Sequence, residues 1–244
     1  MLDRTKIIGT IGYMGGLMSL PEPFAWSWGN MLVFTHEAIC QPGERIKPAR
    51  TGYSFHSAGR NDLVSQISGS QQGGDWLLML DTDLEFDPDF AARLITMFER
   101  YKLDILTGLY AYKNHPEVAV VHMLNEETGR HEPISKWDES VDLFAVSSAG
   151  AGCLLVRKSV YERIVTELYE PPFQVIGAYG EDHSFFMRAR KLGIKAYCAW
   201  RIQAAHLGYK AVEHKPDHSL AICNEYTVSG FGTTKGEMQY GNAS

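Results

Sequence analysis

The sequence has no uninterrupted apolar run approaching the ~18 residues that a membrane-spanning helix needs. Its first residues, MLDRTKIIGT, also lack the apolar core of a secretory signal. A cytoplasmic protein without a membrane span is therefore expected. Cysteine is scarce: Cys40, Cys153, Cys198 and Cys223 stand far apart, with no C-x-x-C pair. This pattern argues for reduced, mostly buried thiols and against a disulfide framework or a zinc site. Positive charge is short as well. Lysine and arginine number 23 against 29 aspartates and glutamates, a net charge of -6. Such a balance speaks against a broad electrostatic grip on nucleic acid. The one basic run, Arg188-Arg190-Lys191-Lys195, reads as a solvated helix face. Neither an internal repeat nor a low-complexity tract is present. What remains is ordinary globular composition, 45% hydrophobic and 21% charged over 244 residues, with room for one substantial core.

Short apolar strands alternate with amphipathic helices, which predicts a mainly parallel sheet covered by helices. KIIGT (6–10) reads as the first strand. A helix over 22–39 places Phe24, Trp28, Met31, Leu32, Thr35 and Ile39 on roughly one face. A stretch broken by proline and glycine, 41–59, leads into a second helix carrying Leu63, Val64 and Ile67. WLLML (76–80) is a strand that ends in Asp81, Asp83, Glu85, Asp87 and Asp89. Asp87-Pro88 has the character of a cap and first turn for a helix with Phe90, Leu94, Met97, Phe98 and Tyr101. A strand over 104–110 follows. Strands are expected at 118–123 and 141–146 around a polar loop holding Trp137. AGAGCLLVRKSVYERI reads as a glycine turn, a strand at 153–157 and a helix. GEDHSFFMRARKLG is a helix with acids in its first turn and Gly193 at its end, and IKAYCAW is a last strand. The tail 209–244 has little periodicity and is expected to be a lid or a flexible end. His214 and His218 lie in it without an assigned role.

Five acids in nine residues after a buried strand need a physical reason. Asp81 and Asp83 are two apart, so an extended turn can point both carboxylates the same way. Held together they repel unless a cation sits between them. Mg2+ or Mn2+ suits such a pair, with substrate phosphates filling the remaining positions. Asp87 and Asp89 read as turn and cap residues. An EF-hand loop starting at Asp81 fails, because Phe86 and Ala92 stand where glycine and glutamate are required. GTIGYMGG (9–16) has no G-K-[ST], so a phosphate-binding P-loop is not supported. A haloacid-dehalogenase-like phosphohydrolase, with Asp81 as nucleophile, remains an alternative. So does a non-catalytic nucleotide-sugar binding module.

RNDLV before the acidic strand, ILTGLY after it, then GAGCLLVRKSVYERI, GEDHSFFMRARKLG and AAHLG occur in one order. In that order the chain resembles the GT-A fold glycosyltransferases, family 2-like members of bacterial and phage type, over about residues 5 to 208. The resemblance implies a single GT-A-like domain (1–208) with a mixed, mainly parallel sheet flanked by helices. It implies that Asp81 and Asp83, completed by His206, hold Mn2+ or Mg2+ against the diphosphate of a UDP- or GDP-sugar. Asp81 would also approach the ribose. Thr10, Gly12, Arg60 and Asn61 would lie near the nucleotide, and Gly150, Ala151 and Gly152 beside the donor sugar. Asp182 would accept the proton of an acceptor hydroxyl, with inversion at the sugar, and Glu181 would orient the acceptor or brace the loop. Read from the residues alone, Glu181 and Asp182 can simply complement a helix dipole, and Asn61 can be a helix cap. Trp137 is either a stacking platform for a sugar acceptor or packing. A nucleic-acid acceptor is allowed but not indicated by the charge, and the oligomeric state is left open.

Overall fold

A computed structural model describes residues 6–15, 20–52, 55–68, 73–113, 115–209 and 226–229. The first half runs β1 (Lys6–Met14), α1 (Glu22–Ile39), β2 (Glu44–Thr51), α2 (His56–Ile67), β3 (Trp76–Leu80), β4 (Leu84–Glu85) and α3 (Phe90–Arg100). Then come β5 (Ile105–Leu109), β6 (Ala111–Tyr112), β7 (His115–Ala119), β8 (Val121–Asn125), β9 (Arg130–Pro133), β10 (Phe144–Val146) and β11 (Ser148–Ala149). The last part holds β12 (Cys153–Arg157), α4 (Lys158–Leu168), α5 (Glu181–Lys191), β13 (Ala196–Gln203), β14 (Ala205–Tyr209) and β15 (Tyr226–Ser229).

Seven strands form the main sheet in the order β10-β13-β5-β12-β3-β1-β2. β12 runs against both its neighbours and β10 against β13, while the other pairs are parallel. β3 shows why the acidic motif follows a continuous apolar run. Its residues alternate between faces: Leu77 and Met79 join the core under α2, α4 and α5. Trp76, Leu78 and Leu80 join the core under α1 and α3. A strand covered on both faces has no polar side, so the run is unbroken until the chain leaves the sheet. There Leu84 and Phe86, both buried, anchor the acidic turn.

Several boundaries differ from expectation. β2 lies within the stretch read as broken. It is an edge strand, where Pro48 and the charges of ERIKPART are tolerated because one side needs no ladder partner. The Asp87-Pro88 pair lies just ahead of α3 rather than capping it. Asp89 flanks the helix, and no side chain caps it. Two short strands, β7 and β8, replace the single one expected at 118–123, and β9 pairs with β8. β1 and β13 run further than the sequence pattern indicated. Cys153 and Cys198 are buried free thiols and Cys40 is half-buried and free. In the tail, β15 pairs with β14; His214 and His218 lie outside the described residues. Among the described residues no helix is long and apolar enough to cross a membrane.

The entry into β3 depends on one glycine. Gly74 has φ +75°, and a Cβ there would overlap the backbone of Gly9 on β1. Gly74→Ala is therefore expected to cost at least about 1–3 kcal/mol from the left-handed backbone alone. Thermal unfolding would show a lowered midpoint, and an unchanged one would contradict this packing.

Candidate active site

The acidic turn is drawn together with β14 by backbone pairing. β4 and β14 are antiparallel, with His206 opposite Leu84. The Leu207 N–H donates to the Asp83 carbonyl at 2.8 Å. This pairing sets His206 Nε2 3.5 Å from Asp83 Oδ2. His206 Nδ1 lies 2.7 Å from the Ala111 carbonyl. A carbonyl only accepts, so Nδ1 carries the proton, and in the neutral ring the lone pair is on Nε2, facing Asp83. Lys113, from the turn after β6, places Nζ 2.6 Å from the same Oδ2.

Asp81 is held differently. Arg60 of α2 is almost fully buried, and its Nη2 donates to both Asp81 oxygens, at 3.0 and 3.3 Å. The same guanidinium donates to Glu181 at 3.2 Å and to the Ala151 carbonyl at 3.0 Å. Burial penalises the charge on Arg60, but Asp81 and Glu181 keep it protonated. One buried cation thus joins the acidic turn, the glycine turn and the start of α5. Around it, the Gly152 N–H donates to the Tyr110 hydroxyl at 3.2 Å. A Cβ at Gly152 would stand 3.0 Å from Asp81 Oδ2, and one at Gly150 would overlap the Tyr110 hydroxyl. Small residues are required there so that the turn can lie against the acid.

Asp182 Oδ1 accepts from the His183 backbone N–H at 2.7 Å and lies 3.2 Å from its ring Nδ1. Other expected residues are placed elsewhere. Thr10 is fully buried, its hydroxyl donating to the Gly73 carbonyl. Gly12 is buried under Leu63. Both are in the middle of β1, inside the sheet, because that strand continues to Met14. Asn61 accepts from the Phe173 N–H and so anchors the loop before α5. Trp137 stacks on Phe144 and tilts against Trp200, which commits its ring to packing on β10 and β13. Lys113, Tyr110 and His56, which reaches Glu181 at 3.6 Å, had no signal in sequence spacing.

Do these residues fit a divalent cation? Among the described residues no three His, Cys, Asp or Glu side chains group as ligands for one ion. Asp81 is committed to Arg60. Asp83 and His206 offer one carboxylate oxygen and one imidazole lone pair side by side. That pair fits Mg2+ or Mn2+ arriving with phosphate oxygens, since such ions need few protein ligands when the substrate supplies the rest. The commitment of both Asp81 oxygens to Arg60 also counts against Asp81 as a phosphohydrolase nucleophile, which needs an unencumbered oxygen.

Burial works against ionisation of Asp83, yet His206, when Nε2 also carries a proton, and Lys113 outweigh it and hold the carboxyl down to about 2. Glu181 is likewise opposed by burial and held down to about 2 by His56 and Arg60. Both values lie below the ordinary 3.8 and 4.5. Their contribution to stability is thus present above those ordinary values and is lost as pH falls through the folded ones. Urea unfolding across that window is expected to show declining stability. Asp83→Asn and Glu181→Gln should each flatten the slope, and an unaltered slope would contradict the pairing.

No protein-family model matches the chain, and no curated protein does. Among solved structures it is similar to A197 from STIV, with a TM-score of 0.54 at 17% identity, covering 89% of this chain and 95% of that one. It is also similar to GalNAc-T7, a GT-A glycosyltransferase solved with UDP, GalNAc and Mn2+. There the TM-score is 0.53 at 9% identity, covering 82% of this chain and 43% of that one. The chain therefore spans less than half of GalNAc-T7. At these identities the likeness is one of fold: the chain has a GT-A-like α/β architecture with a mixed, mainly parallel sheet flanked by helices.

Proposed function

We propose that the chain is a metal-dependent glycosyltransferase of family 2-like type, moving a sugar from a UDP- or GDP-sugar to an acceptor hydroxyl. The observation that carries this reading is the juxtaposition of Asp83 and His206 through β4–β14 pairing, on a GT-A-like sheet. Asp83 and His206 would hold Mn2+ or Mg2+. When bound, the cation would offset the charge developing on the departing nucleoside diphosphate. Lys113 adds a positive charge at the same carboxylate, within reach of phosphate oxygens. Arg60 keeps Asp81 turned toward the glycine turn at 150–152, where the donor sugar would lie, and braces Glu181 at the start of α5. Asp182 takes the proton from the acceptor hydroxyl as that oxygen attacks the anomeric carbon, a single displacement that inverts the centre.

The test is incubation of the protein and Mn2+ with UDP- and GDP-sugars, following nucleotide and sugar products. Release of nucleoside diphosphate with transfer of the sugar is expected. Inorganic phosphate together with a phosphorylated Asp81 would instead establish a phosphohydrolase. Tight nucleotide-sugar binding without any product would establish a binding module.

A further inference from the structure

Three histidines meet beside Asp182. His122 comes from β8, His131 from β9 and His183 from the first turn of α5. The ring centroid of His183 is 4.9 Å from that of His122 and 5.0 Å from that of His131. Each ring has one nitrogen against an oxygen. The Tyr112 hydroxyl is 2.9 Å from His122 Nε2, Ser148 Oγ is 2.8 Å from His131 Nδ1, and Asp182 Oδ1 is 3.2 Å from His183 Nδ1. Those contacts fix the ring orientations. They leave one nitrogen on each ring without a hydrogen-bond partner among the described residues. For His122 that nitrogen, Nδ1, is buried on a side chain only 4% exposed. A buried polar nitrogen left unpaired is costly, and a bound ligand would remove the cost.

The charges around the cluster say what kind of ligand fits. Facing it are Tyr112 and Ser148, both neutral, with Asp182 and Arg190 from α5. Burial, then His183 and His131, push His122 down to about 4; burial, His183 and Arg190 lower His131. The imidazoles thus crowd one another when charged, with Asp182 as the carboxylate among them. An anion held against the ring edges, rather than between rings only 4.9 and 5.0 Å apart, would reverse that crowding by giving the ring N–H groups an acceptor and the imidazoliums a counter-charge. Among the described residues these side chains do not group as ligands for a single metal ion. A phosphate monoester has three terminal oxygens for three rings. Tyr179, half-exposed, stacks on His183 at 6.5 Å and meets His131 edge-on at 6.2 Å. It forms an aromatic wall of the kind that packs against the apolar face of a sugar.

We infer that His122, His131 and His183 form a phosphate-binding acceptor subsite, so that the acceptor carries a phosphoryl group near the hydroxyl presented to Asp182. The word acceptor rests on the proposed transfer; the phosphate site does not.

The test is NMR of histidine side chains in the 15N-labelled protein, titrated with inorganic phosphate and, in a parallel arm, acetate at matched ionic strength. Phosphate is expected to shift the three imidazole signals saturably and to raise their pKa values, while acetate acts far more weakly. His131→Gln and His183→Gln should each weaken phosphate binding roughly tenfold, the loss of one charge-assisted hydrogen bond. Both rings are partly exposed, so these variants are expected to fold, and unchanged circular dichroism would verify it. The site is overturned if phosphate leaves the signals unmoved, if acetate moves them as strongly, or if both variants bind phosphate like the parent. Saturable phosphate binding in a protein that binds no nucleotide with Mn2+ would overturn the acceptor role and leave the anion site standing.

Discussion

Replacing Arg60 with methionine is expected to destabilise the protein by up to about 3–5 kcal/mol, the cost of removing a buried cation from two partly buried carboxylates. For a chain of this size that corresponds to a loss of roughly 6–20 °C in Tm. The reason is the number of groups that depend on one guanidinium: both oxygens of Asp81, one of Glu181 and the Ala151 carbonyl. Lysine does not rescue the site, because a single ammonium lacks the planar fork that reaches three directions at once. The companion experiment separates lost attraction from stranded charge. Combining Arg60→Met with Asp81→Asn and Glu181→Gln should recover much of the stability, since the costly species is the unpaired carboxylate rather than the missing pair. Differential scanning calorimetry checks both. An Arg60→Met protein melting within a degree or two of the parent would show that Asp81 and Glu181 do not need it.

Asp182→Asn is expected to lower sugar transfer by about 10²–10⁴-fold, the usual worth of a positioned proton acceptor. Affinity for nucleoside diphosphate should not change, since Asp182 lies with the histidine cluster and not with Asp83. The substitution is nearly isosteric and the side chain is partly exposed, so the fold is expected to persist. One oxygen of Asp182 is oriented by His183, which sets the carboxylate's direction before any acceptor arrives. Steady-state kinetics together with a binding isotherm decide the matter. An unaltered kcat would remove Asp182 from the proton transfer. A lost rate with an equally lost nucleotide affinity would mark it as structural.

Much of the scaffold was legible because burial writes itself into pattern. α1, with Phe24 and Met31 inward, and β3, apolar throughout, are found from periodicity and run length. β2 was not, since an edge strand carrying Pro48 and four charged residues has neither signature. The candidate site was legible only where local order preserved it. The apolar strand ending in Asp81 and Asp83 and the late AAHLG segment pointed to residues that β4–β14 pairing unites. Arg60 was flagged, but for the nucleotide; in the structure it explains how Asp81 can sit beside another acid, which the sequence presented as unrelieved repulsion. Lys113 and the three histidines share no spacing, because they come from a turn, two strands and a helix. Nine histidines in the chain, with His183 directly after Asp182, were the one available hint. The first strand, read as ending at residue 10, continues to Met14, because Ile11 goes on with the buried pattern and places Thr10 and Gly12 within the sheet.

The measurement closest to the central claim is calorimetric titration of UDP and GDP into the protein with and without Mn2+, repeated on Asp83→Asn and His206→Gln. Binding of one nucleotide that requires Mn2+, and that is lost in both variants while their folds persist, is the predicted result. Nucleotide binding of equal strength without the metal, or undiminished in Asp83→Asn, would contradict the assignment of Asp83 and His206 as the cation's protein ligands.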